Sequence, residues 1–364
     1  MKNIKILTFH NAENYGAMLQ AYALKETVKK LGHNASLLNY QDKHILKDYK
    51  LIKTNTLKSF FSSIWFLKRN LKRKKSFKSF SDKYLDTKSK KYYTVDEINK
   101  DINVNDIFIA GSDQIFNPVL TNGLSDVYTL NFNIPNENKL VYGASLGNEE
   151  TLAKYEKDFK EKLKDIKNIS VREQNIINPL EQILDKEITK VLDPTLLLEK
   201  KAWESLIEEN ILKEKITEKY ILVYTLFESE EITKAANELS RKTGLKVVHF
   251  RKYNAYEKEL CSLYKTGPIE FINAFKNAEY IITNSFHGLV FSIIFEKMFN
   301  VVLPKERGGR LKDLLTLTCL DNRILKDCSD VTECINNKID YLKVKELLNT
   351  QKEKSIEFLK KGTN

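Results

Sequence analysis

The stretch Glu279-Tyr280-Ile281-Ile282-Thr283-Asn284-Ser285-Phe286-His287-Gly288, continuing through Leu289 to Phe295, reads as an apolar strand, a polar turn and an apolar helix. A junction of this kind leaves backbone N–H groups at the positive end of a helix dipole, a natural seat for a phosphate or a carboxylate. Asn284 and Ser285 are both good N-cap residues, so their side chains either close the helix or hydrogen-bond a ligand. His287, in the first turn, either exchanges protons with an anion held there or simply packs.

The same strand-turn-helix alternation extends in both directions. Upstream lie a strand at Tyr220 to Tyr224, a helix at Glu230 to Thr243, a strand at Lys246 to Phe250 and a helix at Ile269 to Asn277. At the start of the chain, a strand at Ile4 to Phe9, a helix ended by Gly32 and a strand at Ala35 to Tyr40 make a βαβ unit with a Gly-bearing loop after its first strand. Further strands are expected at Asp106 to Ala110, Lys139 to Ala144, Asn168 to Arg172, Thr189 to Leu192 and Asn300 to Leu303. The expected class is α/β, with an N-terminal domain over 1–205, a C-terminal domain over 215–340 and a helix over 341–364 whose apolar stripe packs back. The boundary is expected between Leu198 and Lys219.

At 364 residues and 42.4 kDa the chain is long enough for two cores. No apolar run approaches the roughly 18 residues of a membrane span, and the apolar start is too short for a secretory segment, so a cytoplasmic protein is expected. The four cysteines, Cys261, Cys319, Cys328 and Cys334, lack metal-site spacing and read as reduced thiols. No paired His or carboxylate spacing suggests a metal. The net charge of +11 is spread along the chain and accompanies no nucleic-acid motif, so nucleic acid is not an expected partner. Between 57 and 91, Phe60, Phe61, Trp65, Phe66, Phe77 and Phe80 interleave with the basic run from Lys68 to Lys78. This helical insertion either presents an ordinary solvated face or lies on an anionic membrane surface.

Polar clusters fall at the predicted strand ends, which a parallel sheet gathers on one edge. They are Asn14-Tyr15-Gly16 with Gln20, Gly111-Ser112-Asp113-Gln114, Gly143-Ala144-Ser145, Arg172-Glu173, then Asn284, Ser285 and His287, and finally Lys305 and Arg310. Together they describe an anion and hydroxyl site in a cleft between two α/β domains. Neither a Gly-x-Gly-x-x-Gly nor a P-loop lysine is present, which disfavours dinucleotide binding and nucleoside triphosphate hydrolysis.

The ordered set Asn14-Tyr15-Gly16-Ala17, Gly111-Ser112-Asp113-Gln114, Ser170-Val171-Arg172-Glu173, Asp193-Pro194-Thr195, Thr283 to Gly288, and Arg310 with Asp313-Leu314-Leu315 resembles the polysaccharide pyruvyl transferase family over roughly Ile4 to Arg323. The resemblance implies a GT-B-like pair of Rossmann-like domains facing a cleft, and transfer of the pyruvyl unit of phosphoenolpyruvate to a sugar as a cyclic ketal. It implies phosphoenolpyruvate and a glycan acceptor as partners, with no cofactor beyond the donor itself. Arg172 matches the arginine that holds the donor, and His287 matches the essential histidine that contacts its phosphate and delivers a proton. Asp113 is the candidate base or sugar-hydroxyl anchor. Well-studied relatives have an arginine where this chain has Ser285, and Lys305 and Arg310 are the candidates to restore that charge. The alternatives are a GT-B glycosyltransferase using a nucleotide sugar and a non-catalytic glycan-associated protein. Acting on a lipid-linked precursor of a cell-surface polysaccharide would place the enzyme peripherally at the inner membrane face.

Overall fold

A computed structural model of the chain describes all residues except 48, 50–64, 66, 148–149, 211–217, 228, 251–260, 305–307, 327–330 and 332–335. The apolar runs form two wholly parallel sheets. The first contains β1 (Asn3–Leu7), β2 (Asn34–Leu37), β3 (Ile107–Gly111), β4 (Lys139–Ala144), β5 (Asn168–Val171) and β6 (Thr189–Lys190), in the order β2-β1-β3-β4-β5-β6. The second contains β7 (Tyr220–Tyr224), β8 (Lys246–His249), β9 (Cys261–Ser262), β10 (Tyr280–Thr283) and β11 (Met298–Val301), in the order β11-β10-β7-β8-β9. Every residue of β3 and β7 is buried, as expected of strands covered by helices on both faces.

The chain divides into two compact units. One comprises Met1–Leu71, Lys78–Leu198 and Thr350–Asn364, and the other Lys72–Phe77 and Glu199–Asn349. The final helix, Tyr341–Thr363, therefore contributes its last residues to the first unit. There Gln351 Nε2 donates to the Lys190 carbonyl at 2.9 Å, Ser355 Oγ accepts from Leu192 N at 3.0 Å, and Leu359 is fully buried. A Cβ on Gly362 would come within 2.6 Å of the Leu140 side chain, so glycine is what lets this helix lie so close to β4.

Each sheet reverses its winding once. In the first, β2 lies on one side of β1 while β3 to β6 continue on the other; in the second, β10 and β11 leave β7 opposite to β8 and β9. The carboxyl ends of β1 and β3, and of β7 and β10, flank these switch points, where open α/β sheets bind ligands.

The basic insertion forms a helix over Leu67–Tyr84. Its aromatic residues divide. Phe77 and Phe80 turn inward, whereas Trp65 and Leu71 are exposed together with Lys68, Lys72, Lys74, Lys75 and Lys78. Arg73 leaves the basic surface: it is buried, its guanidinium stacks on the rings of Phe77 at 4.4 Å and Tyr264 at 4.6 Å, and Nη1 donates to the Tyr264 carbonyl. Phe60, Phe61 and Phe66 lie outside the described residues. Among the described residues, no helix is long and apolar enough to cross a membrane.

Candidate functional site

In the first unit the clusters beyond β3, β4 and β5 come together. Gly111 is obligatory because a Cβ there would sit 2.2 Å from the Tyr142 carbonyl oxygen. Beyond it, Asp113 adopts the left-handed conformation at φ 63°, a cost that surrounding contacts must hold in place. Its carbonyl accepts from Ser145 N at 3.0 Å, and its Oδ1 accepts from Gln114 N at 2.8 Å. The β4–β5 ladder shifts register between Val141 and Ala144, and Gly143 there has φ 60°. This bulge re-aims the segment so that Ser145 reaches the turn after β3.

Arg172 follows β5 directly, with only 2% of its side chain exposed. Nη1 pairs with Asp193 Oδ2, and Nη2 lies 3.9 Å from Asp113 Oδ1. Asp193 is presented by the turn after β6, where its Oδ1 also accepts from Thr195 N at 3.0 Å and Thr195 Oγ1 at 2.5 Å. Burial opposes the guanidinium charge, but Asp193, Glu173 and Asp113 outweigh it and raise the Arg172 pKa above its ordinary value. Arg172 is thus a charge embedded among three carboxylates, and any donor it holds must share it with Asp193.

The hydroxyls expected to meet substrate are occupied within the protein. Ser112 is fully enclosed and donates to the Gly143 carbonyl at 3.2 Å, while Ser145, equally enclosed, donates to Glu173 Oε1. They brace the turn. Gln114 accepts from Asn117 Nδ2 at 2.8 Å, and Asp113, with 15% of its side chain exposed, is the more open group.

At the end of β1, Asn14 is an N-cap whose side chain accepts from Ala17 N. The helix it starts, Tyr15–Lys30, takes in Tyr15 and Gly16, so the glycine lies in the first helical turn rather than in the expected loop. Tyr15 and Gly16 are buried. Gln20 is fully buried and bonds Thr8 Oγ1 and the Ala17 carbonyl, both at 2.8 Å. His10, just beyond β1, is also buried: Nδ1 lies 2.9 Å from the Thr8 carbonyl and Nε2 2.9 Å from Asn11 Nδ2. Burial lowers its pKa against the opposing effects of Thr8, Asn39 and Asp86.

The second unit carries the Thr283 to Gly288 junction. Ser285 is the N-cap of the helix Phe286–Ile294 and accepts from Gly288 N at 3.4 Å. A Cβ on Gly288 would fall 2.1 Å from Thr283 Oγ1, so glycine permits the helix to begin tight against β10. Asn284 turns the other way: Oδ1 accepts from Leu226 N at 2.9 Å and Nδ2 donates to the Phe227 carbonyl at 3.0 Å. This ties the ends of β10 and β7 across the switch point, next to the half-exposed side chains of Leu226 and Phe227. His287 occupies the first turn, 9% exposed, with its ring edge-on to Phe286 at 5.4 Å. The Arg310 guanidinium lies over the Phe286 ring at 5.6 Å, bringing a positive charge to this helix start. Lys305 lies outside the described residues.

Three solved structures share the fold at low identity. UDP-GlcNAc 2-epimerase from Neisseria meningitidis is 10% identical, with a TM-score of 0.52 and coverage of 99% of this chain and 100% of that one. A second UDP-N-acetylglucosamine 2-epimerase is 13% identical with a TM-score of 0.52, covering 99% and 95%. MnaA of S. aureus, solved with UDP, is 11% identical with a TM-score of 0.50, covering 96% and 91%. At this identity they establish a GT-B-type α/β fold with parallel sheets. Among curated proteins none matches by sequence. The model of the polysaccharide pyruvyl transferase family matches residues 14–304, and the chain belongs to that enzyme family.

Proposed function

We propose that this enzyme transfers the pyruvyl group of phosphoenolpyruvate to two hydroxyls of one sugar in a cell-surface polysaccharide or its lipid-linked precursor. In this reaction the methylene carbon takes a proton and becomes a methyl group, leaving cationic character at C2. One sugar hydroxyl adds there, the C2–O bond to phosphate breaks, and a second hydroxyl closes the ketal. Of the two hydroxyl protons released, one balances the proton taken by the methylene and the other leaves with inorganic phosphate. The steps need a general acid, a base and cationic groups for the donor's phosphate and carboxylate.

The observation that carries this reading is the helix start after β10, where His287 lies in the first turn of a helix whose dipole favours an anion. His287 is assigned the proton delivery, and Arg310, over Phe286, the charge that relatives place at Ser285. Asp113 is assigned the hydroxyl proton or the sugar anchor. Arg172 is assigned the donor's acidic groups through its Nη2 edge, with Asp193 holding the other side of the guanidinium.

Incubation with phosphoenolpyruvate and a panel of free and lipid-linked glycans should release phosphate and raise the acceptor mass by one pyruvyl ketal. Titration with UDP tests the nucleotide-sugar alternative: binding of UDP without turnover of phosphoenolpyruvate would replace the proposal. The exposed Trp65, Leu71, Lys68, Lys72 and Lys75 are assigned to an anionic membrane surface. Replacing the three lysines should reduce sedimentation with phosphatidylglycerol vesicles, and unchanged sedimentation would reject that assignment.

A further inference from the structure

The first unit holds a cavity of about 490 Å³ that the reaction scheme above does not use. That volume falls within the roughly 300–1,000 Å³ of small-molecule sites. Tyr40, Asp42, Tyr93, Ser125, Asp126 and Asp158 are among its lining residues. Tyr40 and Asp42 come just after β2, so they lie on the carboxyl side of the sheet, as Asp113 does after β3.

The lining has a definite chemical character. Tyr93 is 45% exposed and offers an accessible aromatic surface. Asp42 is only 5% exposed; its Oδ1 accepts from His44 N at 2.8 Å and Ile45 N at 3.2 Å, and among the described residues none donates to Oδ2. Burial raises its pKa, with the two backbone donors pulling it back. Asp126 is engaged by Lys162 at 2.7 Å and by Asn131 Nδ2 at 3.0 Å. Lys43, His44 and Lys162 line the same cavity, so its charge is mixed, with carboxylates and basic groups side by side rather than a cluster of cations. Among the described residues no group of three or more His, Cys, Asp or Glu is arranged to hold a metal ion. The ligand that fits has several hydroxyl donors for acceptor-only carboxylates and an apolar C–H face for an aromatic ring, which describes a pyranose.

Tyr128 links this cavity to the candidate site. Its ring is edge-on to Tyr40 at 5.7 Å and to Phe9 at 5.1 Å, and its hydroxyl, raised in pKa chiefly by burial, also feels the charges of Asp42 and Asp113.

We propose that the cavity binds a sugar ring of the acceptor glycan, with the Asp42 carboxylate accepting ring hydroxyls and Tyr93 covering the C–H face. Calling that sugar the acceptor rests on the pyruvyl-transfer reading; the cavity's preference for a sugar does not. The test uses the full chain, calorimetry, and the methyl glycosides of glucose, galactose, mannose and N-acetylglucosamine. At least one should bind, with affinity falling about tenfold in Asp42→Asn, where one charge-assisted hydrogen bond is lost. Asn keeps the acceptor for His44 and Ile45, and an unchanged unfolding midpoint checks this. Tyr93→Ala, at a half-exposed position, should weaken the same glycoside without unfolding the protein. Binding of none of the glycosides, or binding indifferent to both substitutions, overturns the proposal. Phosphoenolpyruvate is titrated separately: glycoside binding that depends on Asp42 without donor binding upholds the cavity and refutes the donor, whereas donor binding without any glycoside refutes the cavity alone.

Discussion

The two carboxyl edges solve the same problem by different means. Beyond β5 the first unit buries a full guanidinium and compensates it with Asp193, Glu173 and Asp113. Beyond β10 the second unit buries no such ion network among the described residues: Thr283, Asn284 and Ser285 spend their hydrogen bonds on the backbone around the start of a helix that carries His287 in its first turn. A buried ion network is rigid and costly to break, because each removed partner strands a desolvated charge. A capped helix start tolerates change more readily, since each lost cap is a single neutral hydrogen bond. Stability should therefore be concentrated at the first edge and chemistry should be separable from stability at the second.

The strongest challenge to that contrast is Arg172→Met, which strands Asp193 and should cost about 3–5 kcal/mol in denaturant unfolding. The double variant Arg172→Met with Asp193→Asn keeps an acceptor for Thr195 and should recover part of the loss; no recovery would mean that the pair is not the source of the cost. Next, His287→Ala should lower turnover by at least about a hundredfold while costing clearly less stability than Arg172→Met. An equal loss of stability would erase the distinction between the edges.

A smaller effect comes from the buried His10 in the first unit. Burial lowers the His10 pKa below 6.5, so the unfolded chain binds more protons as pH falls below that value. Stability from this group is full above pH 6.5 and is lost towards its lowered folded pKa, with a slope of at most about 1.4 kcal/mol per pH unit. His10→Gln should flatten that part of the pH–stability curve, and an unchanged slope would remove His10 as its origin. Smallest of all, Ser285→Ala should cost no more than about 1 kcal/mol, since it removes one 3.4 Å cap bond.

Strand ends were legible because fully buried parallel strands read as unbroken apolar runs, and β4 and β7 have the bounds the sequence suggests. The Thr283–Gly288 junction was legible for the same reason, with a cap residue and a glycine marking the turn. Partners distant in sequence were not. Asp193 is 21 residues from Arg172, and the pairing arises because β6 ends at Lys190, earlier than expected, freeing the following turn to bend towards β5. Asp42 was equally hidden: it follows an irregular segment after β2, and its cavity is completed by residues from 93 to 162. The two-residue edge strand β9 carries too short a pattern to register as a period. Serines at strand ends looked available for ligands because sequence does not show that Ser112 and Ser145 spend their hydroxyls on neighbouring turns.

The return of residues 350–364 to the first unit has a consequence for biosynthesis. Leu140, Tyr142 and Lys190 belong to a sheet made early, and Leu192 lies just beyond its last strand, yet the helix that covers them is made only after 199–349. On the ribosome this sheet must wait, partly uncovered, while all of 199–349 is translated. Closure of the earlier-made body therefore has to follow synthesis of the unit that interrupts it.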